Sequence, residues 1–273
     1  MAFLFSDIDP VAFSVGPLTV RWYALAYVAG FILGWRYAMR LADRDPDKRP
    51  TAQDIDDMLP WLVLSVIIGG RLGYVLFYHF DYFMAEPLAI FAVWEGGMAF
   101  HGGLAGVIIC FVLFAMRRGI SILRLGDVIA CAAPIGLFFG RIANFINGEL
   151  FGRPAPDLSW AVIFPRGGEI ARHPSQLYEA GLEGLLLFVV LYLLARKPAV
   201  RNAPGLLGGT FLSLYAIARF IVEFYRAPDP QLGFVLGPLT MGQILSLPML
   251  FAGCGLAGYG LVCLRKKGVA RDV

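Results

Sequence analysis

Residues 136–153 read Gly-Leu-Phe-Phe-Gly-Arg-Ile-Ala-Asn-Phe-Ile-Asn-Gly-Glu-Leu-Phe-Gly-Arg. The first half continues an apolar helix and sets Arg141 and Asn144 three residues apart, on one helical face. Asn147, Gly148 and Glu149 then end the helix, and Gly152 turns the chain again. An arginine this deep in an apolar segment costs about 3 kcal/mol or more unless paired or hydrated, so it marks a functional site by default. The unusual polar residues of the other apolar segments are its expected partners.

The composition around this stretch is that of a membrane protein. Of 273 residues, 58% are hydrophobic and 14% aromatic, and the mean hydropathy is +0.69; a soluble domain of this length is less apolar. Apolar runs of roughly 20 residues suffice to cross the hydrocarbon. Seven are legible, at 18–41, 58–80, 98–116, 125–147, 175–195, 205–225 and 238–264. The predicted fold is therefore an all-α polytopic membrane protein of about seven transmembrane helices, a single domain over 1–273. The connection 148–174, with its Gly, Pro and Trp, is read as a small cap within it. Met1–Pro17 lacks a basic n-region and carries Asp7, Asp9, Pro10 and Pro17, which does not suit a cleavable signal peptide.

Basic residues orient the bundle. The connections after spans one, three, five and seven hold Arg40, Arg44, Lys48 and Arg49; Arg117, Arg118 and Arg124; Arg196, Lys197 and Arg201; and Arg265, Lys266, Lys267 and Arg271. The segment before span one and the 81–97 connection have no Lys or Arg. The positive-inside rule places the N-terminus outside and the C-terminus in the cytoplasm. The net charge of +3 is then a topology signal and not a nucleic-acid footprint. Cys110, Cys131, Cys254 and Cys263 lie in spans without metal spacing and read as small hydrophobes.

With orientation fixed, depth follows. Arg21, Trp22 and Tyr23 fall at the outer end of span one. In span two, Arg71 follows Gly69-Gly70 and reads equally as a carboxylate-paired structural charge or as part of a polar cavity. His101 opens span three between Gly96-Gly97 and Gly102-Gly103, accessible to a ligand, with no second histidine or paired cysteine to suggest a metal. Arg172-His173-Pro174 leads into span five, whose Gln176, Glu179 and Glu183 share a face and read as counter-ions for arginine. Tyr215, Arg219 and Glu223 recur every four residues in span six. They are either an internal salt bridge or part of the site. All of these sets reach the same leaflet. A cavity holding at least two arginines there suits an anionic lipid head group, because the guanidinium fork matches phosphate oxygens. No Ser/His/Asp set or GxSxG supplies a protein nucleophile, so a nucleophile would belong to a substrate. A transporter or flippase binding the same head group without bond chemistry is the other reading; it lacks the inverted repeats such proteins show.

Gly140-Arg141-x-x-Asn144-Phe145-x-Asn147-x-Glu149-x-x-Gly152, with Arg21-Trp22-Tyr23, Trp94–Gly103, His173–Glu179, Arg219–Arg226 and Met241-Gly242-Gln243, resembles the prolipoprotein diacylglyceryl transferase family of the bacterial inner membrane. The blocks run in order along nearly the whole chain. The resemblance implies transfer of a diacylglyceryl group from phosphatidylglycerol to the lipobox cysteine in a prolipoprotein signal peptide, forming a thioether and releasing glycerol phosphate on the periplasmic side. It implies that Arg141 and Arg219 bind the phosphate and that His101 is the base. Tyr23 and Asn144 would line the pocket, Glu149 and Gly152 shape its mouth, and Glu223 and Tyr215 support Arg219. No metal or organic cofactor is expected, and no nucleic acid partner.

Overall fold

The computed structural model describes residues 3–4, 11–16, 18–45, 48–228 and 233–269. Asp7, Asp9, Pro10 and Pro17, which bear on the signal peptide, and Arg271, which bears on the orientation, lie outside the described residues. In chain order the elements are β1 (Phe3–Leu4), β2 (Val11–Val15), β3 (Leu18–Arg21), α1 (Trp22–Ala42), α2 (Ala52–Phe77), α3 (Phe80–Ala85), α4 (Phe100–Arg118), α5 (Ile122–Ile146), β4 (Val162–Ile163), α6 (Ser175–Glu179), α7 (Leu187–Ala195), α8 (Pro198–Arg201), α9 (Leu206–Val222), β5 (Phe234–Leu236), β6 (Leu239–Thr240) and α10 (Met241–Val269). A π-helical stretch, Ala180–Leu186, joins α6 to α7.

The molecule is mostly helical and a membrane protein. Among the described residues, five helical segments are long and apolar enough to cross a bilayer: Ala52–Phe77, Phe100–Arg118, Ile122–Ile146, Ser175–Ala195 and Met241–Lys266. Two of the seven expected spans depart from that standard, for different reasons. The 18–41 span begins as strand β3, and its helix dilutes the apolar run with Trp22, Tyr23, Tyr27, Trp35, Arg36 and Tyr37. The 205–225 span is apolar but holds only 17 helical residues. The three two-stranded pairs, β1 with β4, β2 with β3 and β5 with β6, are small and were not anticipated from the sequence. Large apolar side chains such as Ile67, Ile108, Leu193 and Phe251 face outward, as lipid contact requires.

Two compact units make up the chain, Met39–Leu125 and Met1–Ala38 with Gly126–Val273. In the first, α2 and α4 pack through bare glycines: a Cβ on Gly73 would meet the Gly102 Cα at 2.7 Å, the close backbone approach that drives helix pairing in lipid. Gly102, next to His101, therefore serves helix packing. The α2 helix starts at Ala52, six residues before the expected span, because Thr51 and Asp54 form a capping box. Arg49 pairs with Asp54, and Arg118 pairs with Asp57 at 2.6 Å.

In the second unit, α9 and α10 pack in the same small-residue manner. A Cβ on Gly253 would meet Ser213 at 2.7 Å, and one on Gly260 would meet Leu206 at 2.7 Å. Buried Asp127 of α5 accepts from the Gly205 and Gly208 amides at 2.8 and 2.7 Å. It thereby satisfies donors that the start of α9 would otherwise leave bare. The π stretch widens the fifth span where Gly184 lies against the Phe138 backbone, and π turns of this kind recur at functional sites.

Candidate functional site

The end of α5 builds the first wall of the site. Asn144 is 7% exposed, and its Nδ2 donates to Glu149 Oε1 at 2.9 Å. The Glu149 amide donates back to the Asn144 carbonyl at 3.1 Å. Here the chain reverses through Gly148, with φ of 61°, and Leu150, with φ of 57°. A leucine in the left-handed region costs about 1–2 kcal/mol, so the surrounding contacts must hold it there. They come from α6: Ser175 Oγ donates to the Leu150 carbonyl at 3.1 Å and Gln176 Nε2 to the Glu149 carbonyl at 2.7 Å. Both side chains are wholly buried.

One turn deeper, three arginines meet three glutamates. Arg141 contacts Glu179 Oε2 at 3.1 Å and Glu183 Oε2 at 3.3 Å. Arg219 contacts Glu179 Oε1 at 2.6 Å and Glu223 Oε2 at 2.8 Å. Arg226 also reaches Glu179 Oε1, at 3.1 Å. The Glu179 and Glu183 side chains have no exposed surface, whereas Arg141 keeps 17% and Arg219 16% of theirs. With all six ionised the charges balance, which is what allows so many to be buried together. The balance is imperfect in geometry. Oε1 of Glu183 has no hydrogen-bond partner, and Oε2 of Glu179 and of Glu223 meet guanidiniums within ion-pair distance but outside hydrogen-bond angles. These arginines are thus held from behind by carboxylates while part of each remains open.

The other expected residues fall as follows. Tyr215 on α9 stacks on Phe211, with ring centroids 5.9 Å apart, and lies within electrostatic reach of Glu183, Arg219, Arg141 and Glu179. Tyr23 at the start of α1 donates to the Tyr27 hydroxyl at 3.1 Å and senses the Glu149 charge. Gly152 is a packing point: a Cβ there would meet the Tyr225 carbonyl at 2.5 Å and His173 at 2.6 Å. Its amide donates to the His173 carbonyl at 2.9 Å. His101 belongs to the Met39–Leu125 unit, where it is the exposed second residue of α4, edge-on to Phe100 at 5.5 Å.

Sequence reasoning missed Arg226 as a member of the site, because it lies beyond the end of α9, where helical spacing no longer places a side chain. The helix ends at Val222, and a turn with a bridge to Gly152 carries Arg226 inward instead. Arg153 was also missed; it fixes that turn by donating to the Arg226 carbonyl at 2.9 Å and the Glu223 carbonyl at 3.2 Å.

Arg71 shows the opposite arrangement, inside the Met39–Leu125 unit. It is 5% exposed and donates to the carbonyls of Ala89, Ile90, Ala92, Gly96 and Gly97 at 2.5–3.3 Å. Its plane lies over Phe83 at 5.1 Å. It also lines a cavity of about 300 Å³ with Tyr74, His79 and Tyr82. Of the two readings offered by the sequence, carboxylate pairing is replaced by backbone carbonyls. Among the described residues no group of three or more His, Cys, Asp or Glu side chains could hold a metal.

A site of this kind offers two partly open forks on separate helices, backed by buried anions, to a ligand with anionic oxygens. Comparison with known proteins points the same way. The family model described as Prolipoprotein diacylglyceryl transferase matches residues 10–259. Phosphatidylglycerol–prolipoprotein diacylglyceryl transferase of Azospirillum brasilense is 58% identical over 257 residues, covering 94% of this chain and 96% of the relative. The protein of that name from Rhodospirillum centenum is 57% identical over 251 residues, 91% of this chain and 90% of the relative. That from Paramagnetospirillum magneticum is 54% identical over 260 residues, 95% and 96% respectively. With the match running through Arg141, Glu179, Arg219 and Arg226, this chain belongs to the prolipoprotein diacylglyceryl transferase family.

Proposed function

We propose that this protein transfers the diacylglyceryl group of phosphatidylglycerol to the thiol of the lipobox cysteine of prolipoproteins, the first step of bacterial lipoprotein maturation. The observation that carries the proposal is the sharing of one buried carboxylate, Glu179, by Arg141 and Arg219 from different helices. This brings two guanidiniums to within the span of one phosphate group. The cysteine sulfur attacks the glycerol carbon that carries the phosphate. The carbon–oxygen bond breaks, and its electron pair leaves with glycerol phosphate. Negative charge grows on the departing oxygen, where preorganised guanidiniums stabilise it without reorganising. The thiol has a reference pKa of about 8.5, so its proton must be taken up; His101 is the proposed acceptor, and the proton ends on the phosphate released.

The setting follows from composition. The proposed setting is the inner membrane, crossed by seven spans with α1 and α9 completing the five longer ones, the N-terminus in the periplasm and the C-terminus in the cytoplasm, and the basic connections support it. The cap at 148–174 then covers the periplasmic end of a single membrane domain, and the phosphate site lies in the outer half of the bilayer. Tyr23 and Asn144 line the pocket, Glu149 and Gly152 shape its mouth, and Glu223 and Tyr215 support Arg219.

The test uses membranes containing the wild type, Arg141→Ala or Arg219→Ala, given labelled phosphatidylglycerol and a lipobox peptide. Wild type forms a new carbon–sulfur bond and each variant loses about three orders of magnitude of rate or more, the scale expected for removing a charged donor from the leaving group. Normal turnover in both variants overturns the proposal.

A further inference from the structure

We infer that Glu179 is a positioning residue for this transfer: it sets the separation and aim of the Arg141 and Arg219 guanidiniums, and Arg226 holds it in register. The inference rests on the phosphate-binding reading above and adds a division of labour within the cluster.

Three observations carry it. The first is connectivity. Among the described residues, Glu179 is the carboxylate that forms ion pairs with more than one of these arginines; Glu183 pairs with Arg141, and Glu223 with Arg219. Its two oxygens are divided, Oε2 to Arg141 and Oε1 to Arg219 and Arg226. The second is rigidity. The side chain is wholly buried on α6, immediately before the π stretch, and α6 is pinned to the 149–150 turn through Ser175 and Gln176. The third is shape. A carboxylate bridging two guanidinium forks through separate oxygens mimics the pattern that two phosphate oxygens make. With Glu179 on the buried side, a phosphate meets the same forks on their open edges, already at the right spacing.

The charge argument predicts a particular kinetic signature. Replacing Glu179 by glutamine removes one negative charge and leaves the three arginines less neutralised, so attraction for a phosphate holds or grows. The forks lose their common anchor, so stabilisation aimed at the departing oxygen falls. Binding and rate should therefore separate, which a merely structural role would not produce.

The experiment uses the full chain in nanodiscs with phosphatidylglycerol and a lipobox peptide, with glycerol 1-phosphate binding followed by calorimetry and folding by thermal melt. Glu179→Gln is expected to lower kcat about 100-fold, as for loss of an aligned donor, with KM for the lipid and the glycerol phosphate Kd unchanged or lower. Glu179→Asp keeps the charge but shortens the reach, and recovers about tenfold of that loss. Arg226→Lys keeps the charge but loses the fork, and lowers kcat about tenfold at unchanged KM. Should the glutamine variant fail to fold, the aspartate and Arg226→Lys variants carry the same test of kcat falling without KM rising. A Glu179→Gln enzyme with kcat within about threefold of wild type overturns the inference. So does one that loses rate and glycerol phosphate binding in parallel. A wild type that forms no thioether overturns the transfer reading itself, a separate failure from that of the positioning role.

Discussion

Two regions of this protein bury arginine beneath an apolar exterior, and they do it in opposite ways. Arg71, in the Met39–Leu125 unit, spends its donors on five backbone carbonyls of the 89–97 connection. Arg141 and Arg219, in the other unit, are held by carboxylates and keep 17% and 16% of their side-chain surface open. A guanidinium has five N–H groups in a fixed plane. When carbonyls take all five, it is a staple that fixes a loop and has nothing left to offer a ligand. When ionised glutamates bridge it from one side, its charge is neutralised enough to be buried, yet one edge stays available. The kind of partner, more than the depth of burial, decides whether an arginine keeps an edge free.

The same conservative substitution in both regions should have opposite consequences. Arg141→Lys or Arg219→Lys keeps the charge that neutralises Glu179 but loses the fork, so thioether formation should fall about 100- to 1000-fold. Arg71→Lys offers three donors to five carbonyls, and it should cost about 1–3 kcal/mol of stability per carbonyl left bare. The rate per folded molecule stays within about twofold of wild type. Activity assays paired with thermal melts separate the two, and a catalytic loss in Arg71→Lys at normal stability would erase the distinction.

His101 asks whether the unit that holds Arg71 contributes chemistry as well as scaffold. His101→Gln should lose about 100-fold in rate at neutral pH, within the range for a lost general base. It should partly recover as the pH approaches about 8.5, where the thiol ionises unaided. A flat ratio of variant to wild-type rate across pH removes His101 from the mechanism.

Gly152→Ala should disturb the glutamate-held cluster through its backbone. Its Cβ would sit 2.5–2.6 Å from the Tyr225 carbonyl and from His173, so the backbone must shift, costing about 1–3 kcal/mol. The displaced strand bridge carries Arg226, so the rate should fall with the melting temperature.

The smallest effect is expected at His173, whose imidazole is held below its ordinary pKa by burial beside Tyr178 and Tyr225. A histidine whose folded pKa is depressed leaves stability intact above about 6.5 and removes it as the pH falls below that value. Melts between pH 7.5 and 5 should show a slight downward slope that His173→Phe abolishes.

How far the site could be read from the chain depends on which partners are local. Arg141 with Asn144, and Tyr215 with Arg219 and Glu223, share helical faces, so their spacing exposed them. Arg226 sits beyond the end of α9 and is turned inward by Arg153 and Gly152, which no helical spacing encodes. The assignment of Glu179 to three arginines is likewise invisible, because several carboxylates on one face have equal claims until the helices are packed. The carbonyl cage of Arg71 was hidden for the same reason, since backbone oxygens carry no residue identity.

By itself the sequence determined a helical membrane protein, its apolar segments, the family motif from Gly140 to Gly152 and the arginines worth attention. These follow from hydropathy, short-range periodicity and local residue order. Tertiary structure alone decided which anion faces which cation, that one arginine is satisfied by backbone while others are shared by glutamates, and that the fifth span relaxes into a π stretch beside them. Charge pairing in a low-dielectric interior acts over a few ångströms between residues about 40 apart in the chain, and only packing brings those residues within range.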